Sequence, residues 1–227
     1  MMTCVGQNSG AVDTSRLGLI DRLCPGYGRF RSRKIHPADY QPATGKCGGV
    51  LIGTAIVDIE GANGRFYPIR AVIDSGSMDS WVTSSFVKKL GLRKIRSAAK
   101  ILGLGGSKAF STYVVSCKFK PRGKSEPVFS TNAIVARRIM SEMPEVALSN
   151  DVTDEWRSLE GQLADPEYDT PGPIDLLIAA DVFPFVYDGR KIASENPDSS
   201  GPFALGSVFG WVMTGRIDGV KLIETEE

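Results

Sequence analysis

Asp74 is the residue whose setting points to chemistry. It ends the apolar run Ala71-Val72-Ile73 and opens the turn Ser75-Gly76-Ser77. A strand that delivers one carboxylate onto a tight turn leaves it fixed in place and open to solvent. That arrangement suits general acid–base work. The plain alternative is a buried strand ending in a turn whose Asp hydrogen-bonds its own backbone. Competing chemistries find little material. The single histidine, His36, sits beside Pro37 in a polar, irregular stretch, which argues against a Ser-His-Asp or Cys-His arrangement. Cys4, Cys24, Cys47 and Cys117 include no C-x-x-C pair, so zinc-ligand spacing is absent and no metal site is expected. Gly103-x-Gly105 lacks the last glycine of a dinucleotide fingerprint and no βαβ pattern follows it, so no cofactor is expected.

Composition sets the frame around this turn. The chain has 227 residues, 42% hydrophobic and 23% charged, with formal net charge +1. That suits one domain of about 150–200 residues plus tails. Near-zero net charge argues against a broad nucleic-acid footprint. The basic run Arg29-Phe30-Arg31-Ser32-Arg33-Lys34 is read as a solvated linker. Scattered cysteines without a secretory signal, and no apolar run of about 18 residues, lead us to expect an intracellular, cytoplasmic chain that does not enter a membrane.

The elements that must position Asp74 follow in order. Residues 1–47 show no helix or strand period and are expected to be linker or disordered. Val50–Ile59 reads as a strand, Gly61-Ala62-Asn63-Gly64 as a turn, and Phe66–Asp74 as a second strand that carries the carboxylate. Ser80-Trp81-Val82 is a short strand. Thr83 or Ser84 then caps a helix through Leu90, with Phe86, Val87 and Leu90 on one face and Gly91 as its stop. A glycine-rich tip, Gly103-Leu104-Gly105-Gly106, precedes the alternation Tyr113, Val115, Cys117, Phe119, which predicts a long hairpin. Pro127–Ala136 is another strand. Residues 137–173 read as an insertion with a helix around 153–163, from the spacing of Trp156, Leu159 and Leu163. Ile174–Asp181 reads as a buried strand, 189–201 as loop, Val208–Met213 as a final strand and 218–227 as a tail. Trp81, Trp156 and Trp211 are assigned to core packing.

Four blocks in this order carry a resemblance: Ala71-Val72-Ile73-Asp74-Ser75-Gly76-Ser77, Leu102-Gly103-Leu104-Gly105-Gly106, Ile174-Asp175-Leu176-Leu177-Ile178-Ala179-Ala180-Asp181, and Gly206-Ser207-Val208-Phe209-Gly210-Trp211-Val212-Met213-Thr214-Gly215. Over residues 48–217 the chain resembles the retropepsin-like aspartic peptidases. More closely, it is similar to the protease domain of BEL/Pao-type retrotransposon polyproteins. The resemblance implies a mostly β, single-lobe acid-protease fold with a closed sheet core, a flap hairpin and a partly helical insertion. It implies an aspartic endopeptidase acting on peptide or polyprotein. Peptide hydrolysis without a metal or covalent nucleophile needs water activated between two carboxylates that share a proton. Asp175 and Asp181 do not repeat the Asp-Ser-Gly turn, so the second carboxylate must come from a second copy about a twofold axis, a homodimer.

The resemblance also assigns roles. Asp74 is the catalytic acid–base. Ser75 braces the partner chain, and Gly76 leaves room for water and substrate. Ser77, Met78 and Asp79 lie toward the cleft, although Asp79 reads equally well as a solvated turn residue. Gly103, Leu104, Gly105 and Gly106 form the flap tip, whose plain reading is an ordinary hairpin turn. Ile178, Ala179 and Ala180 support the catalytic loop from below. Three positions depart from the pattern. Ala179 stands where glycine is usual. Met78 and Ala180 stand where an acid and an arginine are usual, and their joint loss suggests a different brace. Rival readings are a degenerate or co-opted copy that keeps the fold without cleaving, and a polyprotein spacer segment with only a structural role.

Overall fold

A computed structural model describes residues 49–102, 108–194 and 201–217. The expected linker, 1–47, and the expected tail, 218–227, lie outside the described residues. The strand read as Val50–Ile59 is two strands, β1 (Gly49–Leu51) and β2 (Thr54–Glu60). They belong to different sheets, because β1 pairs with a late strand while β2 pairs with β3 (Phe66–Ile73). Gly53 makes the crossing possible: a Cβ there would stand 2.7 Å from Val212 Cγ1. Burial alternates along β2, with Ala55, Val57 and Ile59 inward, as a half-buried strand requires.

After β3 come β4 (Trp81–Thr83) and α1 (Ser84–Leu90), as the sequence predicts. Thr83 Oγ1 accepts from Phe86 N at the helix start, and Gly91 ends the helix in the left-handed region at φ 68°. Phe86, Val87 and Leu90 are buried. The long hairpin is β5 (Ile95–Leu102) with β6 (Lys108–Pro121), and β7 (Phe129–Ala136) follows.

The expected helix at 153–163 is shorter and tighter. A single α turn, α2 (Asn150–Thr153), runs into a 3-10 turn at Asp154–Leu159. Trp156 and Leu159 are buried together, since an i, i+3 pair eclipses in a 3-10 turn. Leu163 leaves the helix and instead forms a bridge to Trp211. Then β8 (Leu176–Ile178) follows, wholly buried, and a 3-10 turn spans Phe183–Phe185.

Residues 189–192 contradict the loop reading of 189–201, because they belong to β9 (Tyr187–Ile192). Its four middle residues are exposed, so the pattern that marks a strand in sequence is missing from this sheet edge. A further unpredicted strand is β10 (Phe203–Ser207), and the last is β11 (Gly210–Ile217). Val208 and Phe209, read as strand, are the two-residue turn between them, with Ser207 opposite Gly210.

Among the described residues, the larger sheet runs β2-β3-β8-β4-β7-β6-β5, and a further β2–β6 pairing closes it on itself. The main apolar cluster fills it, with Phe119, Ile59, Ile69, Leu176 and Ile178 fully buried. Burial of each such side chain contributes about 1.5–3 kcal/mol. The smaller sheet runs β1-β11-β10-β9 over Trp156, Leu159, Tyr168, Trp211 and Met213. Trp81 is half-buried against a third cluster, so all three tryptophans pack in cores. Ala164 joins the two sheets: its N–H donates to Trp211 O at 2.8 Å and its carbonyl accepts from Ile56 N at 2.8 Å. Next to it, the buried Asp165 carboxylate accepts from Thr54 Oγ1 and from Arg70 Nε, both at 2.6 Å.

Candidate active site

The strand order dictates a crossing at Asp74. β8 lies between β3 and β4, parallel to β3 and antiparallel to β4. Residues 74–80, which join β3 to β4, must therefore pass over the end of β8 and the residues that leave it. Contacts at this crossing are close. Asp74 N donates to Ile178 O at 2.9 Å and Ala180 N donates to Ser77 O at 3.0 Å. Ala179 N donates to Ser80 Oγ at 3.1 Å. Small residues at 179 and 180 follow from this geometry.

Asp74 is half-buried at the rim. Its Oδ1 accepts from Gly76 N at 2.8 Å, the bond that the plain turn reading calls for. Its Oδ2 has no hydrogen-bond partner among the described residues. A Cβ at residue 76 would lie 3.2 Å from Asp74 Oδ1, so the glycine keeps space beside the carboxylate. Ser75 is exposed. Ser77 is half-buried and donates through Oγ to Asp79 O at 2.8 Å, which holds the loop's second bend. Met78 is 86% exposed and Asp79 is exposed, so neither is committed to the core. Gly103, Leu104, Gly105 and Gly106 lie outside the described residues. The strands that lead to them pair as far as Leu102 opposite Lys108.

Below the loop, Ile178 and Ala179 are fully buried, and Ala180 is exposed. Ala179 packs in the apolar cluster of Val72, Met143, Ile174 and Leu177. Among the described residues no non-glycine residue has a positive φ, so alanine here sits in an ordinary backbone conformation.

Sequence reasoning passed over Asp181. Its Oδ2 accepts from Thr131 Oγ1 on β7 at 2.7 Å, and its Oδ1 receives a longer contact, 3.4 Å, from Ser80 Oγ. The signal available in sequence was a carboxylate directly after the small pair Ala179-Ala180. Its partner Thr131 lies 50 residues away, beyond any local pattern. Asp175, also passed over, accepts from Thr83 N at 3.0 Å through its carbonyl and from Thr83 Oγ1 through its carboxylate, tying the start of β8 to β4.

The fold is a mostly β scaffold that sets the carboxylate of an Asp-Ser-Gly turn on a crossing loop. Residues 55–151, less than half of the chain, match the family model described as aspartyl protease. That span holds Asp74 and the β5–β6 hairpin and stops before β8. Among solved structures, the chain is similar to the EIAV protease complexed with the inhibitor HBY-793. The identity is 22% over 46% of this chain and 88% of that one, with a TM-score of 0.30. No curated protein matches the chain. Among the described residues no helix is long and apolar enough to cross a membrane.

Proposed function

We propose that the chain is a homodimeric aspartic endopeptidase that cuts a retroelement polyprotein of the BEL/Pao type, with its peptidase domain at 48–217. The observation that carries this reading is the Asp74 carboxylate itself. It sits at the end of β3 on a crossing loop, with one oxygen tied to Gly76 N and the other without a partner among the described residues. One such carboxylate per chain is half of a water-activating pair. Two copies about a twofold axis bring two Asp74 carboxylates together, and at close range only one of them ionises. The ionised one takes a proton from water as the water attacks the peptide carbonyl. The protonated one donates to the carbonyl oxygen, and the proton is later passed to the leaving amine. In this reading Ser75 braces the partner, Gly76 admits water, and Ser77, Met78 and Asp79 border the peptide. Gly103 to Gly106 close over it and exclude solvent.

Expression of a longer precursor tests the proposal. Processing at the domain's flanks is expected in the wild type and is lost in Asp74→Asn, which keeps the bond to Gly76 N and so the fold. Processing that persists in Asp74→Asn refutes the site. Sedimentation of the purified chain tests the shared pair: a strictly monomeric species with full activity refutes it. A folded dimer without Asp74-dependent cleavage supports a co-opted copy instead.

A further inference from the structure

Four consecutive residues, starting with the last of β8, each bind the loop that carries Asp74. Ile178 O accepts from Asp74 N, Ala179 N donates to Ser80 Oγ, Ala180 N donates to Ser77 O, and Asp181 Oδ1 accepts from Ser80 Oγ. Asp181 also reaches across to β7, through Thr131. Both hydroxyls it serves are buried, Ser80 at 1% exposure and Thr131 at 8%. Ser80 Oγ already accepts from Ala179 N, so its own proton needs an acceptor. A carboxylate takes both hydroxyl protons, whereas a carboxamide takes only one.

We propose that Asp181 is a positioning residue for Asp74: by fastening the 178–181 segment to Ser80 and Thr131, it fixes the height of the catalytic loop and hence the separation of the two Asp74 carboxylates in the dimer. This rests on the proposed function. Among the described residues the loop 74–80 makes no ion pair, and Asp181 ties the segment beneath it to β7. Separation matters because the two carboxylates share one proton. As they move apart their coupling weakens and their two apparent pKa values converge. Besides Asp74, the charged groups on the loop and on the strands bonded to it are Asp79, Asp175, Asp181 and Arg70.

Two measurements on the full chain test this, with Asp181→Ala, Asp181→Asn and Thr131→Val. The first is amide hydrogen exchange, which needs no activity. Protection at Asp74, Ala179 and Ala180 should fall by at least about tenfold in Asp181→Ala while β2 and α1 keep theirs. Asp181→Asn and Thr131→Val should fall between Asp181→Ala and wild type. The second is hydrolysis of fluorescein-labelled casein across pH. In Asp181→Ala, kcat should drop about ten- to hundredfold with KM little changed, since the loop's error is in the reacting groups. The bell of activity against pH should narrow from both sides. A variant that merely lost stability would lower the melting temperature and leave the bell's width alone. Uniform loss of protection across the fold, or unchanged protection at the three amides, overturns the inference. So does a bell of unchanged width. If wild type and Asp74→Asn hydrolyse casein equally, the proposed function fails, and the exchange pattern still decides whether Asp181 holds the loop.

Discussion

Ala179→Gly separates two accounts of the crossing beneath the loop that carries Asp74. The resemblance leads one to expect glycine at residue 179, so a methyl there would either crowd the loop, which glycine should relieve, or be accommodated by small shifts. The structure gives the opposite sign. Ala179 is fully buried against Val72, Met143, Ile174 and Leu177, with no positive φ to favour glycine. Removing its methyl gives up about 0.8 kcal/mol of burial. The freer glycine backbone in the unfolded chain costs a further 0.4–1 kcal/mol or about that. The sum is about 1–2 kcal/mol. For a domain of this size it lowers the melting temperature by about 2–8 °C. Thermal unfolding followed by circular dichroism reads that shift, and peptide hydrolysis at a temperature well below the transition reads catalysis, which is expected to hold level or fall. A melting temperature equal to or above wild type, together with faster turnover, would show that the methyl does crowd the loop and would refute the packing account.

Other expectations follow from the same contacts. Gly76→Ala places a Cβ 3.2 Å from Asp74 Oδ1, so hydrolysis should fall steeply while the melting temperature stays close to wild type; equal activity would remove the need for open space there. Arg70→Met strands the buried Asp165 carboxylate and should cost about 3–5 kcal/mol, whereas Arg70→Met with Asp165→Leu should recover much of it. Urea titration of the three proteins would decide, and an additive double mutant would contradict the pairing. Burial pushes the Cys117 thiol from its ordinary 9.0 up to about 12. A folded value raised above the unfolded one contributes stability that is complete below pH 9 and lost as pH climbs toward 12. Between pH 9 and 10 wild type should lose about 1 kcal/mol that Cys117→Ala keeps. Parallel curves for the two proteins would contradict it. Tyr168 and Tyr187, both raised by burial to about 12, join the loss only above pH 10.

What the sequence revealed and what it hid have physical causes. Thr83, Gly91 and the apolar trio Phe86, Val87 and Leu90 mark α1 because caps and helix faces are set within one turn of chain. The Asp-Ser-Gly turn is legible for the same reason: Asp74 and Gly76 bond each other. β9 escaped notice because an edge strand with four exposed residues carries no period-2 signal. The split between β1 and β2 was hidden since Gly53 owes its role to Val212, far along the chain. Trp156, Leu159 and Leu163 fit a helical spacing, yet the sheet claims Leu163 through Trp211. Asp181 shows the limit for the site itself, as a carboxylate whose partner is remote looks like any surface charge.

The pairing of β1 with β11 has a mechanical consequence. Gly49, the first residue of β1, stands opposite Ile217, the last of β11, at the same end of an antiparallel pair. Neighbouring strands lie about 5 Å apart, so polypeptide on either side departs from a single corner. Tension applied through the two flanks would act across this ladder and open it one rung at a time, starting at Gly49, instead of shearing all rungs together. β1 has only three residues, and the closed sheet that carries Asp74 begins beyond Gly53. A pull applied at Gly49 and Ile217 thus peels a short strand before it loads the loop that carries Asp74.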